Sequence, residues 1–170
     1  MSRILHVLDH SLPLHSGYTF RTRAIMKAQV AAGWEIAGIT GVRQYQHGQV
    51  LGAASEAVEG LTFHRTMVEA SGPSPLREWR EVAALADAIV ALHAIWPFDL
   101  LHAHSPALNG LAAHRAAQRL GLPLVYEIRA FWEDAAVGNG TGTEGSAKYR
   151  LTRALENHVL RNADAVAVIC

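Results

Sequence analysis

The run Arg3-Ile4-Leu5-His6-Val7-Leu8 decides the fold. It is short, apolar and bounded by polar residues, with Gly17 several positions beyond its end, and it reads as a buried strand. Residues 20–32 then carry Ile25, Met26, Gln29 and Val30 at helical spacing and stop at Gly33, a residue suited to the turn that ends a helix. Residues 34–40 form the second strand. Sequential strands joined through a helix lie parallel with a right-handed crossover, so the chain opens on a β-loop-α-β unit.

The same alternation continues. Residues 41–60 are polar and weakly periodic, and residues 58–66 hold a further strand. Ser71-Gly72-Pro73-Ser74-Pro75 is strong punctuation. Residues 76–95 are helical and end before Trp96-Pro97, because the residue preceding a proline is pushed out of the helical region. Residues 99–104 read as a strand, 106–120 as a helix ending at Gly121, and 123–128 as a strand. Ser105 is placed to cap that helix, with Pro106 in its first turn, where a missing N–H costs nothing. Beyond Arg129 comes a loop with a glycine-rich segment at 138–145, expected to move when no ligand holds it; residues 146–161 are helical and 165–169 are a last apolar strand. The fold expected is α/β: an open, mostly parallel Rossmann-like sheet with helices on both faces, one domain over residues 1–170. A sheet that stops on a strand with no helix after it reads as half of a larger architecture.

Composition supports one compact domain. The 170 residues include 15 basic and 15 acidic side chains and are half hydrophobic, which excludes a disordered tail, a collagen-like repeat or a coiled coil. Formal neutrality argues against nucleic acid, whose binders carry a basic stripe. The lone Cys170 supports neither a disulfide framework nor a thiolate metal cluster, so a cytoplasmic setting is expected. The N-terminus does not resemble a signal peptide, and no apolar run is long enough to span a bilayer. Peripheral membrane contact stays open.

In open parallel sheets, ligands bind outside the carboxyl ends of the strands. The loop after the first strand holds His10, His15, Ser16, Gly17 and Tyr18 ahead of a helix whose N-terminal N–H groups favour an anion. One glycine is too few for a dinucleotide fingerprint, and no phosphate-loop motif occurs anywhere. His102 and His104 share one face of a strand, with His104 nearer the open end. Two histidines do not make a zinc site; a third, such as His6, His10 or His15, is required, and no metal is expected. Glu127 and Arg129 leave the next strand two positions apart, either as an ion pair or with the arginine fork offered to a phosphate or carboxylate. Phe131 and Trp132 are expected to pack in the core, whereas Arg21, Arg23 and Lys27 form a solvated helix face.

Taken in order, several segments resemble the N-terminal half of family 4 glycosyltransferases. They are residues 4–8 followed by Pro13 and Ser16-Gly17-Tyr18, then residues 99–106, Val125-Tyr126-Glu127-Ile128-Arg129, and Asn162-Ala163-Asp164-Ala165-Val166. Residues 127–134 resemble most the sugar transferases of bacterial exopolysaccharide or exosortase-linked loci. The resemblance implies a two-domain GT-B fold and a metal-independent, retaining transfer of a hexose-like unit from a nucleotide diphosphate sugar to a glycan or lipid-linked acceptor. This chain would be the acceptor-side domain; the donor-binding domain would lie outside it, and the isolated chain would be inactive. By the same resemblance His104 meets the transferred sugar, Gly17 matches the second glycine of a Gly-Gly pair whose first is replaced by Ser16, and Glu127 and Arg129 match the acceptor-side strand end. Cytoplasmic placement at the inner face of the plasma membrane would follow from a lipid-linked acceptor. A non-catalytic Rossmann-like binding or regulatory domain is the alternative, since fold does not dictate function. A metallohydrolase built on Glu133 and Asp134, or a nicotinamide-binding module, has less behind it.

Overall fold

The computed structural model describes residues 2–46, 53–68 and 71–169. In chain order the elements are β1 (Arg3–Leu8), α1 (Gly17–Ala31), β2 (Glu35–Thr40), α2 (Arg43–Gln46), β3 (Ser55–Val58), β4 (Leu61–Arg65), α3 (Leu76–Ile95), β5 (Leu100–His104), α4 (Ala107–Leu120), β6 (Leu124–Ile128), α5 (Trp132–Gly138), α6 (Ala147–Asn162) and β7 (Ala165–Val168). They build one sheet in the order β3-β4-β2-β1-β5-β6-β7, parallel throughout except for the antiparallel edge pair β3–β4. This is the open, mostly parallel Rossmann-like sheet that the alternating pattern predicts.

Strand alternation sorts the side chains onto two faces. Leu5, Val7, Leu101, Ala103 and Tyr126 point to one face, where α3, α4 and α6 contribute Val82, Leu85, Ile89, Ala112, Ala116 and Val159 to the main core. Here α4 approaches closely: a Cβ on Gly110 would lie 2.6 Å from Val159 Cγ1 and 2.8 Å from Tyr126 Cε2, so only glycine fits. The opposite face carries α1. Next to β2 and β4 it is apolar, with Leu8, Met26, Leu61 and Phe63. Across β1, β5 and β6 it is polar, since His6, His102, His104 and Glu127 stand in adjoining register positions.

Several local expectations need correcting. The single strand expected over 58–66 is a hairpin, turned at Glu59 and Gly60, whose φ values of 51° and 80° are both positive, as a tight two-residue turn demands. Glu59 is no turn-signature residue, so the sequence pattern hid the break. Part of the weakly periodic segment, residues 47–52, lies outside the described residues. The first helix starts at Gly17 rather than residue 20, because Ser16 caps it by accepting from Thr19 N at 3.1 Å. Ser105 does not cap α4: Pro106 holds the cap position, and the Ser105 hydroxyl instead accepts from Arg129 N at 3.0 Å and Trp132 Nε1 at 3.4 Å. The loop expected after Arg129 contains a two-turn helix, α5. Phe131 and Trp132 do not join the core; they are 53% and 41% exposed. Arg23 and Lys27 both reach Glu59 across the α1 surface.

Candidate functional site

The sheet order puts the carboxyl ends of β1, β5 and β6 side by side, and Tyr18, His104, Glu127 and Arg129 converge there. The Arg129 side chain is 5% exposed. Its guanidinium lies 4.3 Å from the Tyr18 ring centroid, and Nη1 donates to Tyr18 O at 2.9 Å and Thr22 Oγ1 at 2.8 Å. Nε donates to Glu127 Oε1 at 3.2 Å, and Nη2 reaches His104 Nδ1 at 2.8 Å. The ion-pair alternative for Glu127 and Arg129 is therefore present. The arginine fork is occupied within the protein rather than offered to solvent. Arg21, nearer the surface, adds a second contact to Glu127 Oε1 at 3.3 Å.

That arginine fixes the protons of the whole cluster. A guanidinium only donates, so His104 Nδ1 must accept and its proton sits on Nε2. Nε2 is 2.8 Å from His6 Nδ1, which accepts in turn, leaving His6 Nε2 to donate to Gln29 Oε1 at 2.6 Å. The result is a one-way chain from Arg129 through His104 and His6 to Gln29, with both imidazoles neutral. His104 Nδ1 also lies 3.4 Å from Glu127 Oε2, but it cannot accept from the arginine and donate to the carboxylate at once; the shorter arginine contact decides. Burial drives His104 down to about 3, with the neighbouring charges of His102 and Arg129 adding to the effect. Burial, then the two other histidines, likewise hold His6 well below its ordinary value. Burial alone would push the Glu127 carboxyl up, yet its contact with His102 and the Arg129 charge outweigh that and hold it far below the usual carboxylate range.

His6, His102 and His104 bring ring nitrogens within 4.8 Å of one another, so the third histidine required for a metal site exists. Their arrangement does not fit one. His102 and His104 stack at 4.4 Å with planes 19° apart, and His6 tilts against His102 at 4.7 Å. Imidazole lone pairs lie in the ring plane, so stacked rings send them along roughly parallel directions instead of converging on one ion. His6 and His104 already bond to each other.

At the entrance, Ser16 Oγ lies 2.8 Å from His10 Nε2 and caps α1, while Gly17 is exposed. A Cβ there would meet nothing within 4 Å, and its φ is unremarkable for any residue, so the glycine leaves open space at the helix entrance without relieving backbone strain. Tyr18 OH accepts from Asp9 N at 3.1 Å. His104, in contrast, is wholly buried. Sequence reasoning named His6 only as one possible third metal ligand and missed Thr22 and Gln29 as members of this cluster. Strand parity would have put His6 on the face of His102 and His104, had the adjacency of the first and fifth strands been known.

The chain is similar in structure to sucrose-phosphate synthase from Thermosynechococcus elongatus, with a TM-score of 0.73 and 17% identity over 98% of this chain and 42% of that one. It is also similar to Acinetobacter baumannii MurG, with a TM-score of 0.59 and 11% identity over 100% of this chain and 42% of that one. At such identities the likeness shows the fold alone, the N-terminal half of a GT-B architecture, and this chain spans 42% of the length of either structure. No curated protein matches the sequence. Among the described residues no helix is long and apolar enough to cross a membrane. The family described as glycosyl transferase 4-like domain matches residues 16–170, and the chain belongs to it.

Proposed function

We propose that this chain forms the acceptor-side half of the cleft of a metal-independent glycosyltransferase, one that moves a sugar from a nucleotide diphosphate sugar to a glycan or lipid-linked acceptor with retention. The observation that carries the reading is the convergence of Tyr18, His104, Glu127 and Arg129 at adjoining strand ends, in a chain of glycosyltransferase family membership. The sequence resemblance supports retention and, through residues 127–134, an exosortase-linked role at the inner face of the plasma membrane.

The chemistry suits the cluster. Departure of a diphosphate leaves negative charge on oxygen and positive character on the anomeric carbon, so a fixed, water-shielded cation near the cleft stabilises the transition state more than it would in water. Arg129 is a fixed, buried cation here, but Glu127, His104, Tyr18 and Thr22 occupy its fork, so it would act on that charge through the network and not by direct contact. Ser16 and Gly17, with the exposed start of α1, offer the side on which an anionic group can lie. His104 is assigned to the transferred sugar; a sugar hydroxyl that meets it must displace Arg129 or His6, because both its ring nitrogens are engaged.

The test compares residues 1–170 with a longer protein that continues past residue 170. Calorimetric titration with a panel of nucleotide diphosphate sugars, with and without EDTA, should show EDTA-insensitive binding and transfer by the longer protein and no turnover by the chain alone. Turnover by the chain alone, or full transfer activity in a His104→Ala variant, overturns the reading. Binding without any transfer would favour the non-catalytic alternative.

A further inference from the structure

A second feature lies away from the histidine cluster, in the angle between α5 and α6. A cleft of about 210 Å³ opens there, with Trp132 and Glu133 from α5 on one side and Thr143, Lys148, Tyr149 and Thr152 on the other. Tyr149 is held across it, its hydroxyl donating to Asp134 Oδ1 at 2.8 Å. Trp132 keeps 41% of its surface open, and its indole is steadied by the bond to Ser105.

Glu133 is the unexplained group. It lines the cleft yet is only 6% exposed, and its Oε2 is covered with no hydrogen-bond partner. A buried carboxylate oxygen without a donor is costly, and folded proteins retain few of them. The surroundings make it worse. Glu156 is buried nearby with its own Oε2 unpartnered, and although Tyr126 donates to its Oε1 at 2.6 Å, burial and then the Glu133 charge leave its carboxyl raised. Glu133 lies in the first turn of α5, where the helix dipole favours an acid, but no donor reaches its Oε2, and a ligand that brings donors would supply one.

We propose that the α5–α6 cleft binds the ring of a neutral, hydroxyl-rich sugar, with Glu133 accepting from its hydroxyls and the Trp132 indole lying against its C–H face. The pieces select that chemistry. An acceptor-only anion asks for O–H donors and repels phosphate. An exposed aromatic face suits the apolar side of a pyranose. The Thr143 and Thr152 hydroxyls can give or accept, as a polyol requires. The inference rests on the acceptor-side reading above and places a sugar of that acceptor on this cleft.

Binding is measured on residues 1–170 alone, without any transfer assay, so the two readings fail separately. Isotope-labelled chain is titrated by NMR with the methyl glycosides of D-glucose, D-mannose, D-galactose and N-acetyl-D-glucosamine, and in a parallel arm with glucose 6-phosphate, up to about 50 mM to reach millimolar affinities. The expected result is saturable shifts of the Trp132 indole N–H and of residues 141–152 with at least one neutral glycoside. Glu133→Gln should weaken that binding about tenfold while raising Tm, since it removes a buried charge beside Glu156. Thr152→Val, a milder change on the opposite wall, should weaken binding and leave Tm in place. The proposal is overturned if no neutral glycoside gives saturable shifts there, if glucose 6-phosphate binds better than all of them, or if Glu133→Gln lowers Tm, which would make the acid a structural one. Sugar binding here with no transfer by the longer protein would sink the proposed activity and leave this site standing.

Discussion

The two faces of the central sheet follow opposite rules. Under α3, α4 and α6 the core positions of β1, β5 and β6 are apolar apart from the Tyr126 hydroxyl, which donates to Glu156, and packing is close enough that Gly110 tolerates no side chain. Across the same three strands, the face carrying α1 holds His6, His104 and Glu127, tied to Arg129 by hydrogen bonds, with His102 stacked on His104 and 3.2 Å from Glu127 Oε2. The apolar face is non-directional and tolerant of small adjustments. The polar face works only if every donor meets an acceptor, and a half-satisfied network costs more than a greasy one. Such a network is costly to keep, and that difference between the faces is what makes the polar one the candidate site.

Removing the cation should break the polar face outright. Arg129→Met leaves Glu127 charged and buried and strips His104 of its donor, so chemical denaturation should show a loss of about 3–5 kcal/mol, the usual result of deleting one partner of a buried pair. The apolar face should respond less. Gly110→Val forces a side chain against Val159 and Tyr126, and overpacking of this kind lowers stability by about 1–3 kcal/mol while leaving in place the decline below pH 6.5 that His6 and His104 set on the other face. Equal pH dependence in the two variants would contradict the division of labour.

Acid titration sharpens the contrast. The folded state holds His104 near 3 against an ordinary 6.5, and His6 is depressed as well. A group depressed by folding contributes stability that is complete above its unfolded pKa and drains away as pH falls toward the folded one. Stability should therefore decline as pH drops below about 6.5, before carboxylates begin to titrate near pH 4. His6→Asn should flatten that decline; an unchanged slope would mean that the imidazoles are charged in the native state. The smallest effect is expected at the helix entrance, where Ser16→Ala removes the α1 cap and should cost about 1 kcal/mol in thermal or denaturant unfolding.

The order of strands and helices was open to sequence reasoning because it rests on local periodicity and punctuation. Residues 76–95 showed a helix with its limits, and residues 3–8 a strand with theirs. The Glu59–Gly60 turn escaped because a glutamate occupied a left-handed position that normally announces itself with glycine or asparagine. Phe131 and Trp132 were misplaced for a related reason: large aromatic residues predict a core, and only the tertiary packing of α5 leaves them outside it.

By itself the sequence determined the class of fold, the strand ends worth examining and the resemblance to glycosyltransferases, all of which depend on residue type and spacing along the chain. Tertiary structure alone decided that β1 lies beside β5, and with it that His6 meets His104, that Arg129 faces inward, and that Glu133 is buried without a donor. Hydrogen bonds and burial depend on neighbours nearly a hundred residues apart, and no local pattern encodes which of two allowed neighbours a strand will choose.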